Sequence, residues 1–467
     1  MTARRPVMVL GCTSTAGKSL LATALCRWFA RRGVDVAPFK AQNMSNNARV
    51  VDGGEIGVAQ WLQARAAGVE PSVDMNPVLL KPEADTRSQV VLAGRSRPDL
   101  TAMPWRERAP HLWPAMSEAF DRLQARYELV VIEGAGSPAE INLPDQVNNR
   151  ICAHADASAL LVVDIDRGGA FAHLVGTWTL VPDSTKDRLA GFVLNKFRGD
   201  AGLLAPGPAI VTERTSMADV GVLPMLDHQL PDEEGATVKA VPPRGAPTVA
   251  VVRYPYGSNL DEWHVLPHAA HVRWATTPSD LDGVDLVILP GSKHVAADAD
   301  WLRRRRLDHA VRRAAGRGTR VLGVCGGAML LGTEVTDPHG VEGATAGLGL
   351  LPISTEMAAT KTTRPVRVSV SELTGPWAAL GGARADGYEI RHGEVTPQRA
   401  GVEVAPLVWA DGPVLATTVH GLAENPDVVR RLTGLTPPPV LEQTFERLAD
   451  AVEEHLDTEL LDRLVRR

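Results

Sequence analysis

The chain has little cysteine, four residues in 467. That is too few to frame a chain this long with disulfides, and it suits a reducing cytoplasm. No apolar run approaches the roughly 20 residues that a membrane-spanning helix needs. Excess basic charge is also missing. The formal net charge is −6, which argues against nonspecific binding to nucleic acid or to an anionic membrane. The opening MTARRPVMVLG has a basic start and a short apolar stretch but no small-residue cleavage site, so a first strand is expected there and not a signal peptide. Internal repeats and long low-complexity segments are absent. Hydrophobic content of 44% and charge of 22% are ordinary globular values. The length exceeds what one hydrophobic core covers, and two to three domains are expected.

Short runs of Val, Leu and Ile alternate with helical stretches. Val7–Leu10, Leu129–Ile132, Ala159–Val163 and Gly191–Leu194 are apolar throughout, as parallel strands covered on both faces must be. Lys18–Arg31 and Trp113–Arg126 have helical spacing, so the fold class is α/β. A second strand series begins at Thr248–Val252 and continues with Asp285–Leu289 and Arg320–Val324. Between the two series GATVKAVPPRGAP, Gly235–Pro247, reads as a linker. The expected domains are therefore 1–235 and 248–467, joined by 236–247. Leu441, Phe445, Leu448, Val452 and Leu456 recur at helical spacing near the C-terminus. They predict an amphipathic helix docked on the second domain.

Gly11–Ser19, GCTSTAGKS, follows a strand and opens a helix, the setting a phosphate-binding loop requires. Its backbone N–H groups, from Gly11 through Thr13 and Gly17, would face phosphates. Lys18 supplies positive charge to the outer phosphates, and the Ser19 hydroxyl suits Mg²⁺. The loop is one residue longer than the usual spacing. Glu133 ends the strand LVVI, where a metal-binding acid sits in an open parallel sheet, and Asp164 occupies the same kind of position after ALLVV. A solvated loop charge or a helix cap is the other reading of each acid. The amide-rich stretch Lys40–Asn47, KAQNMSNN, offers Lys40, Gln42, Asn43 and Asn46 to a large polar substrate or to a transferred phosphate. A loop capping its own backbone is the other reading.

In Val321–Leu331, VLGVCGGAMLL, a buried strand ends, Cys325 follows at once, two glycines allow a tight turn and a helix begins. This is a nucleophile elbow with sulfur in place of the serine hydroxyl. The helix N-terminus favours thiolate, and the Gly326 N–H could form half of an oxyanion hole. His420, at the end of ATTV, is the base expected to pair with Cys325. Gly291 in LPGSK, Leu289–Lys293, could complete the oxyanion hole. No acid that would orient His420 stands out; Glu424 is near in sequence. Cys26 and Cys152 read as core or structural, and Cys12 as a loop residue with no role of its own.

Taken together, PFKAQNMSNN (Pro38–Asn47), GGEIGVAQ (Gly53–Gln60), EGAGSPAEINL (Glu133–Leu143), LPGSK, VLGVCGGAMLLG and GYEIRHGE (Gly387–Glu394) resemble the cobyric acid synthase family, the glutamine-dependent amidotransferases of cobalamin biosynthesis. The likeness runs from about Val7 to about Asn425. It implies an N-terminal P-loop domain of the dethiobiotin-synthetase type and a C-terminal class I glutamine amidotransferase domain of the cobyrinate-amidating kind. It implies ATP and Mg²⁺ as cofactors and glutamine and a corrinoid as small-molecule substrates, with no nucleic acid or membrane partner. The implied reaction phosphorylates the b, d, e and g carboxylates of adenosyl-cobyrinic acid a,c-diamide and amidates them with ammonia. Cys325 and His420 would release that ammonia, and a passage between domains would carry it. Two departures stand out. Many class I glutaminase domains place a glutamate two residues after the histidine, where this chain has Leu422. The GYEIHxG signature reads GYEIRHG, with Arg391 in the histidine's place and His392 beside it. Tyr388 would help bind glutamine or pack at the interface. Competing readings are an a,c-diamide synthase, a lipid-II-type amidating complex, and a P-loop regulatory ATPase with an inactive glutaminase tail. The QNMSNN segment, the fused first domain and the intact Cys325 and His420 weigh against them in turn.

Overall fold

The computed structural model describes residues 4–84, 87–142, 147–231 and 240–466. Leu143, and residues 236–239 of the expected linker, lie outside them. The first domain is built on a six-stranded sheet in the order Ala218–Pro224, Leu189–Phe197, Ser158–Asp164, Val7–Gly11, Leu129–Glu133, Val36–Phe39. Every neighbouring pair is parallel. The all-apolar strands have the environment their composition calls for. Met8 and Leu10 face one core with Leu112, Phe120, Ile151 and Leu174. Val7 and Val9 face the other with Leu21, Leu25 and Phe29 of the helix Lys18–Arg31. The helix expected at Trp113–Arg126 begins at Trp105. Pro110 and Pro114 in its first half obscure the start, because proline removes helix donors.

The second domain carries a seven-stranded sheet in the order His271–Ala275, Thr248–Val252, Leu286–Leu289, Arg320–Val324, Val414–Thr417, Val408–Asp411, Glu403–Ala405. The first five strands are parallel and the last two complete the edge antiparallel.

Each domain extends an insertion toward the other. The first contributes the hairpin Ala48–Val51 with Gly54–Gly57. The second contributes a long antiparallel pair, Ile353–Ser369 with Arg384–Pro397. These pack together, and Ile390 seals a small apolar cluster of Ala48, Leu79 and Val91. Lys361 and Lys81, one from each domain, both pair with the buried Glu55.

The C-terminal helix corrects an expectation. Val440–His455 is amphipathic as its spacing requires, but it docks on the first domain. Phe445, Leu448 and Val452 bury against Leu21, Leu25 and Trp28. Arg27 pairs with Glu446, Arg31 with Asp450, and the Trp28 indole N–H donates to Glu453 at 2.8 Å. Further along, Asp457 N–H donates to the Val220 carbonyl and Arg5 N–H to that of Val465. Spacing reveals the buried face of a helix, whereas the partner is set by complementary apolar and charged side chains hundreds of residues away.

Candidate active site

Cys325 stands between the strand Arg320–Val324 and the helix Gly326–Leu331. Its φ of 52° and ψ of −109° are strained for a residue with a Cβ, a feature that concentrates at functional positions. The strain is held by a 2.7 Å hydrogen bond from Cys325 N–H to the Thr417 carbonyl. Gly326 opens the helix, and any Cβ on it would meet Ser292 at 2.7 Å. A Cβ on Gly291 would lie 2.8 Å from Cε1 of His420. Gly291, Gly326, Cys325 and His420 therefore converge.

His420 interacts with the Cys325 side chain on one side and with Glu262 on the other, at 3.0 Å from Nδ1. The second oxygen of Glu262 accepts the Gly421 N–H at 2.7 Å. Tyr388 stacks on the imidazole at 5.6 Å and 20°, and the two residues exchange backbone hydrogen bonds. Burial opposes the charged imidazole, but Glu262 and Cys325 beside it outweigh burial and raise its pKa to about 10. Glu262 is the acid that sequence reasoning missed. It lies in the short 3-10 helix Leu260–Trp263, far from His420 in the chain. An acidic pair, Asp261–Glu262, set among Leu260, Trp263, Val265 and Leu266 was the available signal, since buried carboxylates need partners. Glu424 instead pairs with Arg49.

The departures also find places. Arg391 donates to Glu389 at 2.6 Å, and Glu389 further receives Arg364 and Thr418. His392 contacts the Ala358 carbonyl at 3.1 Å, and burial lowers its pKa to about 4. Cys325 and His420 open into a cavity of about 40 Å³ whose wall includes Lys293, Lys361, Ile390, Arg391 and His392, with Asn46 and Lys81 from the first domain.

In the first domain the phosphate loop wraps its own lysine. Lys18 Nζ donates to the carbonyls of Thr13 and Ser14 at 3.1 and 3.0 Å. Ser19 Oγ donates to Glu133 at 2.8 Å, and Lys40 donates to the same carboxylate at 2.7 Å. Burial pushes the Glu133 carboxyl up, but Lys40 beside it and the donors Gln63 and Ser19 hold it below the ordinary value. Ser19 and Glu133 thus stand together, an all-oxygen pair that fits Mg²⁺, which keeps waters and phosphate oxygens in its remaining positions. Among the described residues no cluster of three His, Cys, Asp or Glu side chains forms a self-sufficient metal site.

Asp164 lies on the opposite side of the loop from Lys40. It accepts Lys196 at 2.9 Å, and Lys196 in turn donates to the Thr15 carbonyl at 2.7 Å. Asn43 donates to Gln60 at 3.1 Å, while Oε1 of Gln42 and Oδ1 of Asn46 are buried without a hydrogen-bond partner. Cys12 is buried, which pushes its thiol up to about 12, and Cys152 is raised by burial to about 11. Cys26 is raised likewise. None of the three is poised to react.

Residues 7–228 match the CobQ/CobB/MinD/ParA nucleotide binding domain, and residues 248–428 the CobB/CobQ-like glutamine amidotransferase domain. A cobyric acid synthase of Polaromonas sp. (strain JS666 / ATCC BAA-500) is 50% identical over 502 residues, covering 99% of both chains. One from Variovorax paradoxus (strain S110) is 53% identical over 476 residues, again with 99% of each covered. One from Paracidovorax citrulli (strain AAC00-1) is 52% identical, with 97% of each covered. With a nucleotide-binding domain and a glutamine amidotransferase domain in one full-length match, the chain belongs to the cobyric acid synthase family of glutamine amidotransferase ligases.

Proposed function

We propose that the chain converts adenosyl-cobyrinic acid a,c-diamide to cobyric acid by amidating its b, d, e and g carboxylates, with ATP and glutamine consumed at each. In the second domain the Cys325 sulfur attacks the glutamine carboxamide carbon. Gly291 and Gly326 N–H groups stabilise the oxyanion, and His420, aimed by Glu262, gives a proton to the departing nitrogen. Ammonia leaves and a thioester remains. Water, deprotonated by His420, releases glutamate and restores the thiol.

In the first domain Gly11, Thr13, Gly17 and Lys18 cradle the triphosphate. Ser19 and Glu133 would hold Mg²⁺, which supplies charge neutralisation at the phosphates when bound. A corrinoid carboxylate oxygen attacks the γ-phosphorus, ADP leaves, and an acyl phosphate forms. Ammonia displaces inorganic phosphate and loses a proton, leaving the amide. Lys40, Gln42, Asn43, Asn46 and, across the loop, Asp164 are assigned to substrate. The partnerless oxygens of Gln42 and Asn46 support this, since a buried acceptor left unpaired is costly. The four unpaired cysteines fit a reducing, cytoplasmic setting, and no helix among the described residues is long and apolar enough to cross a membrane.

The observation that carries this reading is the cavity at Cys325 and His420, walled in part by Asn46 and Lys81 of the nucleotide-binding domain. A water-sized molecule needs about 10–15 Å³ of such space, so ammonia released there has room beside the other domain. Cys325→Ala tests it. Glutamine-supported amidation should vanish, while amidation supported by ammonium chloride should persist near the wild-type rate. Loss of both, or of neither, would refute the reading.

A further inference from the structure

Besides Asn46 and Lys81 in the cavity wall, the first domain sends Arg49 to the far side of the glutaminase base. Arg49 lies on the hairpin Ala48–Val51 and is 2% exposed. Its guanidinium pairs with Asp261 and Glu424, both of the second domain. It also sits over the Tyr388 ring at 5.5 Å and the Trp61 ring at 5.3 Å. Each second-domain partner touches the base or its immediate neighbour. Asp261 precedes Glu262, which holds Nδ1 of His420. Tyr388 stacks on the imidazole itself. Glu424 belongs to the turn that follows His420.

Asp261 and Glu262, both buried, and the half-buried Glu424 form an acidic group behind the histidine, and Arg49 is a cation brought to it from the other domain. Burial raises the Glu424 carboxyl to about 7 even with Arg49 beside it. The same stretch of chain also reaches the nucleotide site, since Lys40 contacts Glu133. Ala48 N–H donates to Asn259 Oδ1 at 3.0 Å, which fixes the hairpin against the segment that carries Asp261 and Glu262.

We infer that Arg49 is a positioning residue for glutamine hydrolysis: the nucleotide-binding domain supplies the cation that sets Glu262 and Tyr388 against His420, so the glutaminase centre is complete only when both domains are docked. This rests on the Cys325–His420 reading above. Arg49 is not among the residues that wall the cavity at Cys325, and its removal should act through the base.

The test uses the full chain with Arg49→Met and Arg49→Lys. Glutamate release from glutamine and ammonium-supported amidation are measured on each variant. Arg49→Met should lower kcat for glutamate release by about 10- to 100-fold, the usual cost of losing a partner that orients a working side chain. KM for glutamine should change by less than about threefold, and ammonium-supported amidation should stay within about twofold of wild type. Arg49→Lys, which keeps the charge without the planar fork, should recover part of the loss; it also serves if the Met variant does not fold. Equal loss of both activities would mean a purely structural role and overturn the inference. So would unchanged glutamate release. A wild-type chain with no glutaminase activity would instead overturn the Cys325–His420 reading.

Discussion

At His420 two opposing effects meet. Burial disfavours the imidazolium, while Glu262 and Cys325 favour it strongly enough to bring the pKa to about 10. The sign of the linkage follows. A folded pKa above the ordinary value of about 6.5 contributes stability that is fully present below pH ~6.5 and lost as pH rises toward ~10. Glu262→Gln should flatten that alkaline decline in a pH series of denaturant midpoints. It should also cut kcat for glutamate release by roughly 10²-fold or more, as loss of the orienting acid does in related triads. A variant with an unchanged rate and an unchanged alkaline decline would remove Glu262 from the site. Cys325, His420, Gly291 and Gly326 are legible in the sequence because each stands at a strand end or tight turn, where local pattern fixes geometry. Glu262 and Arg49 are not legible, because Glu262 meets His420 only through the tertiary fold of the second domain and Arg49 arrives from the other domain, whereas Glu424 is merely near His420 in sequence.

Among the elements, the helix Val440–His455 carries the clearest mechanical consequence. It belongs to the C-terminal end of the chain, yet Phe445 is fully buried against the helix that follows the phosphate loop. Phe445→Ala should cost about 3–5 kcal/mol, the usual range for a truncated core aromatic. The loss should fall on the first domain. Hydrogen exchange should quicken in Lys18–Arg31, while the strand Arg320–Val324 stays protected; the reverse pattern would put the helix on the other domain. Strands such as Val7–Gly11 and Thr248–Val252 are legible because central parallel strands must be apolar on both faces. The insertion hairpins are not, since Ala48–Val51 and Arg384–Pro397 mix polar and apolar residues to serve an interface that exists only once both domains have formed. Arg391 and His392 illustrate the point: one braces Glu389, and the other faces the cavity beside Cys325.

For the whole molecule, several contacts tie the domains. They include the Arg49 cluster, the Glu55 pairing with Lys81 and Lys361, and the C-terminal segment that crosses back to the first sheet. Glu55 is held down to about 2 because Lys361 and Lys81 outweigh its burial, while burial pulls the Lys81 ammonium down to about 7. Such binding suits an enzyme whose two reactions must share a volatile intermediate, because ammonia that escapes to water is protonated and lost as a nucleophile. The direct test is mass spectrometry of adenosyl-cobyrinic acid a,c-diamide incubated with the protein, ATP, Mg²⁺ and glutamine labelled with ¹⁵N in its amide, in the presence of unlabelled ammonium. Stepwise gain of labelled amides ending at the fourth, with little unlabelled nitrogen incorporated, is the expected result. Hydrolysis of glutamine with no labelled corrinoid, or amides drawn mainly from the unlabelled pool, would contradict the account.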